Sequence, residues 1–278
     1  MSQKSYDGSP TLYLIPTPIG NMDDITLRTI KILNEVEVIF SEDTRVTGQL
    51  LHHLQIKKKL ISNHKFNETN NYELAISYLK DGHNIGLVTD RGTPVISDPG
   101  YDLARYVMEQ GYHVVALPGA TALIPALITS GIMPMPFLFY GFLNSKEGKR
   151  KKELEELKKL PYTLIFYEAP HRIHDSLKNI REIFGNRKIS IAREITKRYE
   201  EIYRGLIDEV MEEILDIKGE IVLVVSGNNE EETYDNLTII EHVNLYIKEG
   251  HSSKEAIKLV ARDRNMKTND VYRAYHLD

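Results

Sequence analysis

Side chains with acid–base chemistry recur at one kind of position in this chain, directly after short apolar runs. Carboxylates, arginines, a histidine and a lysine stand there beside glycine and proline, in the segments 16–21, 41–45, 90–94, 118–121, 168–172 and 193–197. Carboxylates and lysine can move protons or hold a charged ligand, and glycine lets the backbone approach a ligand closely. Each segment alone is typical of a turn or a helix cap. Their recurrence at the ends of predicted strands favours a ligand site, because ligands of open α/β sheets bind beyond the carboxyl ends of the strands.

Several common catalytic motifs do not occur in the sequence. It has no G-x-G-x-x-G after the first predicted strand, no G-x-x-x-x-G-K-[ST] and no H-E-x-x-H, which disfavours dinucleotide, P-loop and zinc-protease chemistry. A G-x-S-x-G elbow is also lacking. His171 and His174 are spaced for one helix face but have no obvious third partner, so we expect no metal site. The residues alone indicate an α/β enzyme with a charged ligand cleft.

The composition is that of a globular protein with about two domains. The chain has 278 residues, 35 Lys and Arg against 40 Asp and Glu, a formal net charge of -5 and no cysteine. This balance excludes a strongly basic nucleic-acid coat, and the lack of cysteine excludes disulfides. The N-terminal residues lack the apolar core of a signal peptide, so we expect a cytoplasmic protein. The uncharged stretch 114–145 contains several prolines, which argues against a transmembrane helix.

Short apolar runs alternate with amphipathic segments, which predicts strands covered by helices. Predicted strands lie at 12–16, 36–40, 60–61, 84–89, 113–117, 137–142, 163–167, 188–192, 201–205 and 220–226. Predicted helices lie at 26–34, 44–54, 68–81, 101–110, 120–129, 145–160, 173–184, 238–248, 253–265 and 269–276. We expect a mostly parallel first sheet and a more mixed second one. The predicted domains are two α/β domains at 1–117 and 118–228, followed at 229–278 by a helix-turn-helix-like extension, with a polar linker at 227–236.

Five motifs carry a resemblance to a known family. TPIGN, EDTR, GTPVISDPG, FYEAPHR and AREITK occur in family order, and over residues 12–227 the chain resembles the tetrapyrrole-methylase superfamily, the class III S-adenosylmethionine-dependent methyltransferases. It looks like the branch of that superfamily that methylates ribosomal RNA. The resemblance implies two α/β domains with S-adenosylmethionine in the cleft between them and methyl transfer to the ribose 2′-hydroxyl of a cytidine in the decoding region of 16S rRNA. It also implies a homodimer that needs no metal and no membrane.

The resemblance implies a cofactor site built from four segments. The matching positions are Pro18, Ile19 and Gly20, then Asp90, Gly92, Thr93, Pro94 and Ile96, then Thr121 and Ala122, and finally Phe166 and Tyr167. Two departures from the family pattern matter. Arg91 stands where family members usually carry a small residue, and it could instead face an RNA phosphate. Pro-Gly-Ala-Thr at 118–121 replaces a Pro-Gly-Pro-Ser-like segment, although Thr121 keeps the hydroxyl.

The implied reaction mainly needs alignment of the hydroxyl oxygen with the methyl group and sulfur, and then an acceptor for the hydroxyl proton. Candidate groups are Glu42, Asp43, His64, Glu168, His171, Glu194 and Lys197. We predict that Glu168 and Lys197 lie near the reacting oxygen. Each also has a structural alternative: Glu168 would orient its loop, and Lys197 would hold only a phosphate.

Basic residues are candidates for RNA contact. Residues 146–159 contain seven Lys or Arg against four Glu, residues 57–59 form a second basic run, and the extension is also basic. Such runs are also typical of solvated helix faces. We predict 16S rRNA as the partner. Two rival hypotheses stay open: a methyltransferase of the same superfamily acting on a tetrapyrrole or another small molecule, and a non-catalytic RNA-binding protein.

Overall fold

A computed structural model describes residues 3–5, 7–64, 68–214, 216–228 and 237–276 of the chain. Most of the predicted linker at 227–236 therefore lies outside the described residues. The chain divides into two compact units, residues 1–228 and residues 229–278. The first unit contains two five-stranded sheets.

The first sheet is entirely parallel, with strand order β3-β2-β4-β1-β5. Its strands are β1 (Thr11–Leu14), β2 (Val38–Ser41), β3 (Lys59–Ser62), β4 (Ile85–Val88) and β5 (His113–Ala116). The strands β2 and β4 are buried throughout, as expected for strands that helices cover on both faces. In this order, β4, β1 and β5 are neighbours, so the loops that follow them emerge side by side.

The second sheet is mixed, with strand order β6-β7-β10-β8-β9. Its strands are β6 (Phe137–Phe142), β7 (Thr163–Glu168), β8 (Lys188–Arg193), β9 (Glu201–Leu206) and β10 (Ile221–Val225). The strand β10 runs antiparallel to both of its neighbours, β7 and β8. The amino end of β10 therefore lies at the same edge as the carboxyl ends of β7 and β8.

Helices connect the strands of both sheets in the first unit. They are α1 (Leu27–Glu35), α2 (Thr44–His53), α3 (Tyr72–Lys80), α4 (Tyr101–Glu109), α5 (Leu123–Thr129), α6 (Glu147–Leu157), α7 (Ile173–Phe184) and α8 (Ile207–Glu213). No helix in the described ranges is long and apolar enough to cross a membrane.

The two sheets have separate apolar cores. Leu12, Phe40 and Leu103 belong to one cluster on the first sheet, whereas Phe166, Leu177 and Leu223 belong to the main cluster on the second. A smaller cluster joins Ile19 from the loop after β1 to Val222 and Val224 of β10. The loops of the first sheet thus pack directly on the second sheet.

Two helices differ from the sequence-based predictions. The helix expected at 120–129 begins only at Leu123, because Ala120 and Thr121 belong to a loop that contacts the loop after β4. The helix α8 was not predicted, since its seven residues follow β9 without an intervening turn signal. It buries Ile207 and Val210 against the second sheet's core.

The second unit contains three helices, α9 (Ile239–Lys248), α10 (Ser253–Asp263) and α11 (Thr268–His276). Thr238 and Ser252 cap the first two, and in each case a glutamate three residues later completes a capping box. Val243, Val260 and Val271 contribute one buried residue from each helix to a small core. These helices correspond to the three predicted for the extension.

Candidate functional site

A cavity of about 410 Å³ lies between the two sheets of the first unit. Loops at the carboxyl edge of the first sheet form one wall, and the matching edge of the second sheet forms the other. Its volume is in the range of pockets that hold nucleoside-sized ligands. Seventeen residues line it: Ile19, Arg91, Gly92, Thr93, Ile96, Ser97, Asp98, Thr121, Ala122, Leu123, Phe142, Tyr167, Glu168, Ile195, Glu220, Ile221 and Val222.

Three adjacent loops make the first wall. They follow β1, β4 and β5, whose carboxyl ends lie next to one another. Thr17 and Gly92 exchange backbone hydrogen bonds of 2.9 and 3.0 Å, and the Thr93 hydroxyl donates to the carbonyl of Ala120 at 3.1 Å. These contacts join the three loops into one surface.

The loop after β4 has a strained backbone. Val95 and Ser97 have φ angles of 81° and 67°, in the left-handed region that L-residues, and β-branched ones above all, rarely adopt. Glu194 and Thr196, in the loop after β8, show the same feature. Strain of this kind persists only where the surroundings enforce it, and it clusters at functional sites. Both strained loops border the cavity.

The second wall contains residues that the antiparallel β10 contributes. Tyr167 and Glu168 end β7, and Val222 and Ile221 of β10 lie opposite them, with Glu220 just before β10. Ile195 follows β8, and Phe142 ends β6. The wall is therefore mostly apolar, with carboxylates at its border.

Adjacent residues of β7 face opposite sides of the sheet, as the pleat requires. Phe166 is fully buried in the core beneath α7, whereas Tyr167 lines the cavity. The Tyr167 ring packs edge-on against Phe139 and Phe142, with ring centroids 4.9 and 5.6 Å apart. Burial raises the pKa of the Tyr167 hydroxyl.

Four charged side chains form an ionic cluster at the border of the cavity: Arg91, Glu194, Lys197 and Glu220. The Lys197 ammonium donates to Glu194 at 2.7 Å and to Glu220 at 2.9 Å, and Arg91 donates to the other oxygen of Glu220. The hydrogen bond from Lys197 lowers the pKa of Glu194, against a smaller opposing effect of burial. Because Arg91 belongs to the first sheet's loop and Glu220 to the second sheet, this cluster connects the two walls.

Glu168 is held by internal partners. Its side chain is 0% exposed, although the residue lines the cavity. One carboxylate oxygen accepts from the backbone N–H of Ala169 at 2.8 Å and the other from the Ser176 hydroxyl at 2.5 Å. Arg172 Nε lies 3.3 Å away. These contacts fix the loop between β7 and α7, which is the structural alternative considered for this residue.

Asp98, in the cavity wall, has a raised pKa. Burial raises its pKa to about 6 from 3.8, and the nearby carboxylates of Glu42 and Asp90 add to the rise, whereas the neighbouring Thr89 hydroxyl opposes it. None of the groups that shift its pKa is a cation. The Asp98 carboxyl therefore binds its proton more tightly than an exposed aspartate does.

The predicted site residues divide into two groups. Eight of them line the cavity: Ile19, Gly92, Thr93, Ile96, Thr121, Ala122, Tyr167 and Glu168. The others lie behind or beside the wall: Pro18, Gly20, Asp90, Pro94, Phe166 and Lys197. The Asp90 carboxylate turns away to accept from the backbone N–H of Asp43 at 3.0 Å. Gly20 lies beneath the Lys197 side chain, since a Cβ there would overlap the Lys197 stem.

Several lining residues were not predicted. Asp98 stands in the noted ISDPG motif, but an Asp before Pro-Gly and a helix is usually interpreted as a turn residue. Glu220, Ile221 and Val222 were missed because only the carboxyl ends of strands were considered. Within the described ranges, no group of three or more His, Asp or Glu side chains could hold a metal ion.

The sequence and the fold have counterparts among known methyltransferases. The sequence profile of the tetrapyrrole (corrin/porphyrin) methylases matches residues 11–211. A uroporphyrin-III C-methyltransferase from Thermus thermophilus, solved in complex with S-adenyl homocysteine, has a similar fold. Its TM-score is 0.56 at 18% identity, covering 78% of this chain and 97% of that one. The chain is thus a methyltransferase of the tetrapyrrole-methylase class.

Curated relatives of higher sequence identity show which family within this class the chain resembles. A protein of Bacillus subtilis is 48% identical over 99% of this chain and 98% of its own length. One from Halalkalibacterium halodurans is 45% identical over 99% of both chains. Both are named ribosomal RNA small subunit methyltransferase I. The chain belongs to this family.

Proposed function

We propose that this protein transfers a methyl group from S-adenosylmethionine to the ribose 2′-hydroxyl of a cytidine in the decoding region of 16S rRNA. The near-full-length identity of 48% to a ribosomal RNA small subunit methyltransferase I carries the proposal. The choice of the ribose oxygen and of the cytidine rests on the motif resemblance of the sequence.

The cavity suits the proposed cofactor in shape and charge. Apolar side chains such as Ile19, Ile195 and Val222 provide a surface for an adenine ring, and Asp98 provides negative charge near a positively charged sulfonium. When bound there, S-adenosylmethionine would supply an electrophilic methyl group. We propose that Gly92, Thr93, Ile96, Thr121, Ala122 and Tyr167 contact it together with Ile19.

The remaining predicted residues support that site from behind. Pro18, Gly20, Asp90, Pro94 and Phe166 would shape the loops and the β7 wall. Glu168 would fix the β7–α7 loop through its bonds to Ala169 and Ser176. Lys197 would hold Glu220 at the border of the cavity.

We further propose a division into domains at 1–117, 118–228 and 229–278, with the last segment adding contacts to ribosomal RNA. Its exposed basic side chains include Lys254, Lys258 and Arg273. Lysines and arginines on one small unit are suited to phosphate contacts, which carry most of the affinity for nucleic acids.

A second copy of this chain is the proposed partner of an exposed apolar face. Ile128, Met133 and Met135 are 70%, 72% and 68% exposed, and β6 is an edge strand beside them. Exposed apolar side chains this close together in the sequence are a candidate surface for association. We expect light scattering to give the mass of a dimer, and the variant I128E/M135E to give that of a monomer. A monomeric wild type would contradict this.

Methyl transfer to small ribosomal subunits that lack the modification tests the function. Labelled S-adenosylmethionine would be the donor, and the labelled nucleoside would be identified after digestion. Labelled 2′-O-methylcytidine at one position is the expected product. Label on a base, or no transfer despite measured cofactor binding, would contradict the proposal.

A further inference from the structure

The carboxylates around the cavity differ in their availability to a substrate. Glu168 accepts from two donors and faces Arg172. Glu220 is paired with Arg91 and Lys197, and Glu194 with the same lysine. The oxygens of these three carboxylates therefore already have internal partners, and the hydrogen bond from Lys197 lowers the pKa of Glu194.

Two further carboxylates lie behind the cavity wall. Glu42 accepts the Thr89 hydroxyl at 2.7 Å, and Asp90 accepts the backbone N–H of Asp43. Neither residue lines the cavity. Their negative charges face Asp98 from the loops after β2 and β4, so they disfavour its ionised form.

Asp98 combines access with a high proton affinity. It lines the cavity, and no cation is among the groups that shift its pKa. Tyr167 of β7 also lies near Asp98, since the Asp98 charge contributes to the raised pKa of the Tyr167 hydroxyl. Other charged groups of the wall, Arg91 and Glu220, are paired with each other.

The loop that carries Asp98 is held in a defined position. Ser97 has a φ of 67°, and a Cβ on Gly141 of β6 would lie 3.2 Å from the Ser97 hydroxyl oxygen. The loop therefore reaches across to the second sheet immediately before Asp98. A fixed position is what proton transfer to a reacting group requires.

We infer that the Asp98 carboxylate is the catalytic group that accepts the proton of the ribose 2′-hydroxyl as its oxygen attacks the methyl group. The oxygen forms a bond to the methyl carbon, and the bond from that carbon to sulfur breaks with its electron pair going to sulfur. The hydroxyl proton goes to Asp98 and is later released to water. This inference rests on the proposed function, which supplies the hydroxyl and the methyl sulfonium donor.

The test compares D98N with wild type in single-turnover methyl transfer to unmodified small subunits between about pH 5 and pH 9. An ionised base predicts a wild-type rate that rises with pH around a midpoint near 6, the pKa of Asp98. D98N should lose about 100-fold or more in rate and lose this acid limb. Binding of S-adenosylhomocysteine, measured by calorimetry, should stay within about threefold of wild type.

Control variants keep the result interpretable. D102N changes an exposed carboxylate in the first turn of α4 that pairs with Arg105, and it should leave rate and pH profile unchanged. If D98N does not fold, D98E serves in its place. It should keep an acid limb at a rate reduced by about tenfold, because the longer side chain displaces the carboxylate.

Three outcomes would overturn the inference. A D98N rate within about threefold of wild type, with the acid limb intact, would show that Asp98 accepts no proton. Loss of S-adenosylhomocysteine binding, with the rate restored at saturating cofactor, would make Asp98 a binding group only. Failure of the wild type to methylate ribose would overturn the proposed function and this inference together, whereas the first two outcomes leave the proposed function standing.

Discussion

Individual carboxylates around the cavity behave differently because their neighbours differ. Glu194, beside a lysine, has a lowered pKa, whereas Asp98, buried beside other carboxylates, has a raised one. The same functional group is therefore a fixed charge at one position and a proton acceptor at another.

Asp98 should reduce the stability of the folded protein at neutral pH. Its folded pKa of about 6 exceeds the ordinary value of 3.8, so the folded state binds the proton more tightly than the unfolded state. Stability therefore falls as pH rises from about 4 to 6, and the full cost is present above that range. D98N removes this cost and should raise the free energy of unfolding at pH 7.5 by about 1 kcal/mol, after allowance for partial exposure.

Urea unfolding of the cofactor-free protein at about pH 5 and pH 7.5 measures this effect. The gain from D98N should be smaller at the lower pH, since Asp98 is then largely protonated. The exposed D102N serves as the control. A D98N protein that is less stable than wild type at pH 7.5 would contradict the assigned environment.

Lys197 should matter more than an exposed lysine nearby. K197M leaves Glu194 and Glu220 without their shared cation, so the pKa of Glu194 should rise, and stability should fall by about 1 kcal/mol. Lys218 is the matched control, because its side chain is 79% exposed and pairs only with Asp216 among the described residues. Thermal unfolding of K197M and K218M distinguishes the two. An equal loss of stability in the two variants would show that the ionic cluster contributes no more to stability than an exposed ion pair does.

At the level of elements, the cavity depends on how closely three loops approach one another. Gly119 allows the loop after β5 to pack on the loop after β1, since a Cβ on Gly119 would lie 2.5 Å from Pro16 Cβ. The proline ring is fixed to its own backbone, so the two loops must move apart if a side chain is added at Gly119. The first wall of the cavity would then lose its shape.

We therefore expect G119A to weaken S-adenosylhomocysteine binding by at least about tenfold and to lower stability by about 1–3 kcal/mol. Calorimetry and urea unfolding measure the two effects. G148A is the control, because no atom lies near its added Cβ and Gly148 lies within α6. It should be neutral or slightly stabilising. Unchanged binding by G119A would show that the loops can yield without affecting the cavity.

For the whole molecule, the two compact units have separate cores. The cavity and both sheets lie within residues 1–228, and the three helices of the second unit have their own apolar cluster. We therefore expect that removal of the second unit will weaken binding of a large RNA substrate and leave binding of the cofactor unchanged.

A chain ending at Asn228 should fold and keep its affinity for S-adenosylhomocysteine within about twofold. Its KM for small ribosomal subunits should rise about tenfold or more, because basic groups of the second unit are lost. Filter binding and steady-state kinetics measure this. Unchanged subunit affinity would show that the second unit does not contact the substrate.

The order and type of most elements can be predicted from local sequence patterns. Apolar runs and helical spacing are local signals, so strands such as β4 and helices such as α7 were predicted close to their observed bounds. The motifs also indicated the family and eight of the cavity-lining residues. Local patterns failed at α5, whose first predicted turn is instead a loop bonded to Thr93.

Which loops meet depends on the order and direction of the strands in the two sheets. The strand order sets β4, β1 and β5 side by side, so their loops line the cavity while the loop after β2 supports it from behind. The antiparallel direction of β10 brings Glu220 to the same edge. The raised pKa of Asp98 likewise arises from burial and from Glu42, which lies far away in the sequence. Contacts between distant segments set these features, and no local pattern encodes them.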